Sequence, residues 1–433
     1  MKIKLIILLT LVFLLIPVYA LALETYYSPI FSLAKDPRAL GVAGAMTALG
    51  DSPTSAIFNP ALMGEYNSFS LKVGLGFWPV DETVWNNFNK IMEYIDIMGQ
   101  EEPPDDYLSA ETFLTGYANL GIGRLGLTLW ADANFDVEYY KYTDYQPEDP
   151  DDSVIQGNIG FSAPINLNGA LTLGLPVINL GNMKLNIGAN LRMNVFGVEH
   201  QYVNTQVNLA GLWYSQSNEE PAYGYYSSEY YAYNYLHRGK NESNIRNWAI
   251  DLGAWLKLSD NFALGISAQN VYAQWIGGEY YQESEEGYFT ANYENGNITG
   301  VNYNVYSSYS ESGSITPEEI ELEFEIPLTL KAGALLKLPV LSTRIAFDAN
   351  LDKNFQPTLY SLGIEQPLLF FVLRCGAILD PNFQPLNYTI GAGVNLLFLR
   401  VDVGLGYQAV GSFMETIQNT MPLVASFSGS IQF

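Results

Sequence analysis

The chain closes on Met421-Pro-Leu-Val-Ala-Ser-Phe-Ser-Gly-Ser-Ile-Gln-Phe433. Leu423, Ala425, Phe427, Gly429, Ile431 and Phe433 share one face of a strand, while Val424, Ser426, Ser428, Ser430 and Gln432 share the other. Successive strand side chains point to opposite sides of a sheet, so the segment offers one apolar face, one small or polar face, and an aromatic end. A transmembrane β-barrel presents these two faces to lipid and to its lumen.

The same alternation recurs upstream. Ser68–Phe77 sets Phe69, Leu71, Val73, Leu75 and Phe77 against Ser70, Lys72, Gly74 and Gly76, and 184–196 repeats the pattern. The polar sides carry Asp251, Lys257, Lys331, Arg344, Asp348, Arg400 and Asp402, and lumenal cations are expected to pair with lumenal acids such as Asp251, Asp348, Glu365 or Asp402 because buried charge needs a partner. Arg124, Arg192, Arg246, Arg344 and Lys72 are the cations available to a ligand carboxylate. The joints between strands alternate short and long, the parity of a barrel with short turns at one end and long loops at the other. The count comes to about fourteen strands, give or take two, since boundaries read from sequence are soft. The expected architecture is an all-β, antiparallel transmembrane barrel over 67–433, with long external loops at 78–110, 136–152, 199–245 and 276–318.

Lys2 and Lys4 precede an apolar run from Leu5 to Pro17, and Ala20-Leu21-Ala22 is a small-x-small cleavage site. Residues 1–22 are therefore expected to be an export signal, with the mature protein starting near Leu23. No later stretch reaches the roughly 18 apolar residues of a spanning helix. A membrane-embedded mature chain must then be a closed barrel, the other form that leaves no backbone polar group facing lipid. The single cysteine, Cys375, excludes an intrachain disulfide. Lys+Arg total 20 against Asp+Glu 45, a net charge of −25, which argues against nucleic acid as a partner.

Chemistry other than binding has little to work with. The two histidines, His200 and His237, stand beside no recognisable nucleophile motif, so no catalytic residue and no cofactor is assigned. The acidic runs 148–152 and 283–286 lack the spacing of a calcium loop, so no metal site is assigned either. Two of the long loops are rich in tyrosine, as in 223–235, a composition suited to a protein or glycan partner. In the loop 78–110, Asp81 is placed to cap a helix reaching about Met98. Its stripe of Trp85, Phe88, Met92 and Ile95 would put an apolar landing site at the external mouth.

Residues 33–64 contain the small-residue patch Gly41-Val-Ala-Gly44-Ala, Asp51 some way on, and Asn59-Pro60-Ala61 just before the first strand. This segment resembles the N-terminal plug of the FadL-type outer-membrane transporters of hydrophobic compounds, and that of the related PorV-type barrels of secretion systems. The resemblance implies a fourteen-stranded barrel, a hatch at 23–66 inside its lumen built around Gly41, Gly44, Asp51, Asn59 and Pro60, and location in the cell outer membrane. It implies passive uptake of a hydrophobic small molecule, long-chain fatty acids among the candidates. A secretion-associated or surface-binding barrel and a structural porin are the alternatives.

Overall fold

In the computed structural model, residues 30–433 are described except for 51–52, 79–86, 88–89, 91–107, 143–155, 163–164, 199, 209–221, 234–241, 295–296, 322–325 and 421. The expected export signal, Asp51, and the stripe of Trp85, Phe88, Met92 and Ile95 lie outside the described residues; within that stripe's segment Asn87 and Lys90 are described, and both are helical.

The described residues form eighteen strands in one sheet. In chain order they are β1 (Phe69–Phe77), β2 (Leu108–Ile122), β3 (Leu125–Tyr142), β4 (Gln156–Ser162), β5 (Ile165–Leu180), β6 (Met183–Val198), β7 (His200–Asn208), β8 (Ala222–Tyr233) and β9 (Glu242–Ser259). They continue as β10 (Phe262–Glu294), β11 (Asn297–Ile315), β12 (Thr329–Lys337), β13 (Arg344–Leu351), β14 (Pro357–Leu368), β15 (Phe371–Leu379), β16 (Pro385–Leu396), β17 (Leu399–Gln408) and β18 (Val424–Gln432).

Fourteen of them close a ring. The antiparallel ladders run β1–β2–β3–β5–β6–β9–β10–β12 and on through β13 to β18. Between β18 and β1 the last strand meets the first, Ser70 opposite Gln432 through Phe77 opposite Ala425. Phe69 and Phe433 exchange backbone hydrogen bonds of 3.2 and 3.0 Å. Closure leaves no strand edge exposed to lipid.

The other four strands belong to a sheet that continues past the ring. β4 adjoins the far part of β3, with Asp136 opposite Ser162; β7 adjoins β4, β8 adjoins β7, and the far part of β10 lies between β8 and β11. Within 199–245 and 276–318, expected as loops, the described residues His200–Asn208, Ala222–Tyr233, 242–245, 276–294 and Asn297–Ile315 are paired strand. The expected strand at 319–338 is shorter: Pro317–Glu321 is a helical turn (α2, after the hatch helix described below), and β12 begins at Thr329. Thr316 and Glu319 cap that turn reciprocally, Glu319 N donating to Thr316 Oγ1 and Thr316 N to Glu319 Oε2.

The alternation of the sequence becomes an inside and an outside. Phe69, Leu71, Val73, Leu75 and Phe77 face out along β1 while Ser70 and Lys72 are buried. Outward apolar side chains recur around the ring, including Leu127, Leu171, Leu191, Ile266, Leu373 and Val401. Ser426 and Ser428 face inward on β18 while Phe427 stacks on Phe77 at 6.1 Å. Leu369 and Leu397, in the turns after β14 and β16, are fully exposed with positive φ and carry the apolar belt beyond the strand ends. Among the described residues no helix is long and apolar enough to span a membrane. An arginine at Val73, midway along β1 and facing out, is expected to cost about 2–4 kcal/mol if the site lies at the bilayer midplane. Folding titrations into lipid vesicles measure this, and an unchanged titration would show that Val73 does not meet hydrocarbon.

Candidate functional site

The N-terminal segment lies inside the ring. Its described residues form four short helical pieces, Phe31–Leu33, Pro37–Gly41, Pro53–Ile57 and Pro60–Glu65, and two of them start the same way. Asp36 caps the helix Pro37–Gly41 (α1), its carboxylate accepting from Arg38 N at 2.8 Å and Ala39 N at 3.4 Å, with Pro37 in the first turn. Asn59 caps the 3-10 helix Pro60–Glu65, its Oδ1 accepting from Ala61 N at 3.1 Å. An oxygen-bearing cap followed by proline spends no backbone donor at the helix start.

Coiled backbone inside a barrel must find hydrogen-bond partners, and here the wall supplies them from side chains. Ser426 Oγ donates to Ala34 O at 2.6 Å, Trp255 Nε1 to Ala48 O at 3.1 Å, Asn190 Nδ2 to Ala56 O at 3.1 Å and Gln269 Nε2 to Ile57 O at 3.2 Å. Asn59 Nδ2 binds both Thr47 O within the segment and Ala254 O on β9, at 2.8 and 3.1 Å. Inward wall glycines admit this backbone: a side chain at Gly188 would strike Pro60, and one at Gly404 would strike Pro37. Gly44 itself has φ +82 and packs against Leu33, so it needs to be glycine.

The lumen is layered. Towards the end with the long connections, Ile30, Leu33, Leu40 and Ala43 pack with Ile378 and Val424 into an apolar layer, which Trp78, Phe113, Leu359 and Leu423 extend. Below it lies a layer of charge. Lys72 Nζ sits 2.9 Å from both oxygens of Asp36, and Thr54 Oγ1 also donates to that carboxylate. Burial raises the proton affinity of Asp36, but the Lys72 ammonium and the Thr54 hydroxyl outweigh it and hold the carboxyl well below the usual carboxylate range.

Glu365 on β14 is the other anchor. Arg38 of the hatch meets it with a fork, Nε to Oε2 at 2.9 Å and Nη2 to Oε1 at 3.0 Å. Arg374 Nε reaches Oε2 at 2.9 Å and Arg344 Nη1 reaches Oε1 at 2.8 Å. Arg374 Nη1 then lies 2.9 Å from Asp402 Oδ1, close but poorly aligned for a hydrogen bond. Arg400 Nε completes the chain to Asp402 Oδ2 at 2.7 Å. Arg38, Arg374, Glu365 and Asp402 are all nearly inaccessible to solvent.

The residues named from sequence divide accordingly. Gly41, Gly44, Asn59 and Pro60 lie in the plug, Gly41 against Arg374 and Gly391. The expected pairing of lumenal charge holds for Lys72 with Asp36, Arg344 with Glu365 and Arg192 with Asp251; Arg246 lies 3.9 Å from Glu279. Asp36 and Arg38 fasten the plug; the Asp36-Pro37 pair is a local helix-start signal, but the wall residues that these side chains meet are distant in sequence.

No family model and no curated protein matches the chain in sequence. Among solved structures the chain is similar to a mutant of the monoaromatic hydrocarbon channel TodX, at 10% identity and a TM-score of 0.47, over 92% of this chain and 97% of that one. It is similar to the monoaromatic hydrocarbon channel CymD at 13% identity and a TM-score of 0.44, over 93% and 98%. It is also similar to a Pseudomonas aeruginosa FadL homologue at 13% identity and 0.40, over 92% and 98%. The ladders and the lumenal contacts of the chain itself establish a fourteen-stranded closed antiparallel barrel with its own N-terminal segment packed inside.

Proposed function

We propose that the protein is an outer-membrane channel through which a hydrophobic small molecule passes passively once the plug yields. The observation that carries this is the layered lumen. An ion-conducting pore keeps a water-filled channel, whereas here the plug fills the ring and turns an apolar layer, Ile30, Leu33 and Leu40 with Trp78 and Phe113, towards the end with the long connections. An apolar solute leaving a polar cell surface gains by entering such a layer. The stripe of Trp85, Phe88, Met92 and Ile95 is proposed as the first contact on that route, and long-chain fatty acids as the first cargo to try. Uptake of labelled hydrophobic probes by cells with and without the protein tests the reading: faster uptake with it is expected, and equal uptake of every probe would remove it.

A second reading, a surface or secretion-linked platform, draws on the sheet of β4, β7, β8, β10 and β11 that continues past the ring. A stoichiometric partner recovered with the detergent-extracted barrel would favour it.

A further inference from the structure

Among the described residues six short turns close one end of the ring, and they are of two kinds. Between β2 and β3, β5 and β6, and β9 and β10 the tips are Gly123-Arg124, Gly181-Asn182 and Asp260-Asn261, rich in the Gly, Asn and Asp that two-residue hairpins favour. Between β14 and β15 and between β16 and β17 the tips are Leu369-Phe370 and Leu397-Phe398, and the longer turn after β12 carries Val340-Leu341. The three apolar tips share one half of the rim, because β12 to β18 are neighbours in the ring.

These tips run against local preference. Leu369 and Leu397 both have φ +52, where the corresponding Gly123 and Gly181 have φ +57 and +61. Glycine adopts this conformation freely and leucine does not. Exposure to water does nothing to offset that strain, yet Val340, Leu369 and Leu397 are almost or wholly exposed. The in–out alternation of the wall also stops here, since Leu368, Leu369, Phe370 and Phe371 are all exposed. An apolar patch of this kind marks contact with a membrane or another protein.

Continuity with the wall selects the membrane. The outward row climbs from Phe371 to Leu373 on β15 and from Leu399 to Val401 on β17, all exposed and apolar, so the tips prolong the outer face of the barrel. Phe433 at the chain end joins them by stacking on Phe398 at 5.9 Å. The carbonyls of Phe370 and Phe398 accept from Asn395 N at 2.8 Å and Gln432 N at 2.9 Å, so these groups keep their partners when water is withdrawn.

We infer that the three turns are a lipid-seated foot. The acyl–headgroup boundary of the near leaflet covers the rim at Val340, Leu341, Leu369, Phe370, Leu397 and Phe398, while the turns at Gly123, Gly181 and Asp260 stand in water. The barrel is thus seated unevenly. This requires a membrane around the barrel and is independent of what passes through it.

The test uses the full-length barrel in phosphatidylcholine vesicles, with Cys375→Ser as background and an environment-sensitive fluorophore on Leu369→Cys, Leu397→Cys or Arg124→Cys in turn. Labels at 369 and 397 are expected to be quenched by brominated acyl chains and shielded from aqueous iodide, and the label at 124 to behave oppositely. Replacing both leucines, Leu369→Asn with Leu397→Asn, is expected to lower the equilibrium for folding into the vesicles by about tenfold per leucine, the order of withdrawing one leucine from apolar surroundings. Asparagine tolerates positive φ, so turns that face water would be stabilised by the same change. Unchanged or greater stability would therefore overturn the foot, as would three labels that respond alike. Shielding at 369 and 397 that appears in native outer-membrane fragments and not in lipid vesicles would assign the turns to a protein partner, against the inference.

Discussion

Glu365→Ala is expected to cost about 3–5 kcal/mol of stability, because removing one partner of a buried ion network strands the rest. One carboxylate receives Arg38, Arg344 and Arg374 at 2.8 to 2.9 Å, and without it two almost inaccessible guanidiniums, those of Arg38 and Arg374, lose the acid they share. Arg38 is the plug's hold on β14, so the damage is expected to appear as release of the plug. Purified Glu365→Ala should remain a heat-modifiable barrel, show protease cleavage within 30–66 and conduct ions in planar bilayers where the parent stays closed. Parental conductance together with parental protection would mean that the network does not fasten the plug.

Asp36→Asn is expected to act on the same fastening from β1. It leaves the Lys72 ammonium almost wholly buried with no carboxylate in contact, Asp402 being its remaining acidic neighbour, a loss of about 3–5 kcal/mol by the same reasoning. The sign of the pH effect follows from the depressed proton affinity of Asp36. A carboxyl whose pKa is lower folded than unfolded stabilises the fold above its unfolded value, near 3.8, and that contribution is lost only as pH falls through the lower folded value. In the parent, the Asp36–Lys72 contribution should therefore be constant from neutral pH down to the ordinary carboxylate range and decline below it. In Asp36→Asn that decline should be missing. Melting profiles of parent and variant against pH measure the difference; parallel profiles at every pH would show that the pair contributes nothing.

Legibility in the sequence followed the presence of lipid. Wherever a strand has hydrocarbon on one side, Phe69 to Phe77 or Leu423 to Phe433, period-two alternation is forced and the strand can be read. β7, β8, β11 and the far part of β10 stand beyond the ring, where no solvent imposes an apolar face, and their polar, tyrosine-rich composition looked like loop. Helical turns inside expected connections carried short signals that were passed over: Thr316-Pro317 with Glu319, and Ser412 with Glu415, whose reciprocal hydrogen bonds start a helix at Phe413 (α3, Phe413–Asn419).

The plug shows the same division. Asn59-Pro60 and the small residues from Gly41 to Ala45 mark a compact coil because cap geometry and side-chain size are local properties, visible in a string of residues. Which wall atoms the coil meets is not local. Glu365 lies 327 positions from Arg38, and the ring brings them to 2.9 Å only because every intervening strand pairs in one register. The amino-acid sequence by itself determined a barrel, its inner and outer faces and a strand number near fourteen, since the surroundings on each side dictate the pattern of side chains, while the stopper at its start was legible only through a family resemblance. The tertiary structure alone decided which charges fasten the stopper and that the turns at Val340, Leu369 and Leu397 share one half of the rim, because contacts between distant positions exist only once the sheet has closed.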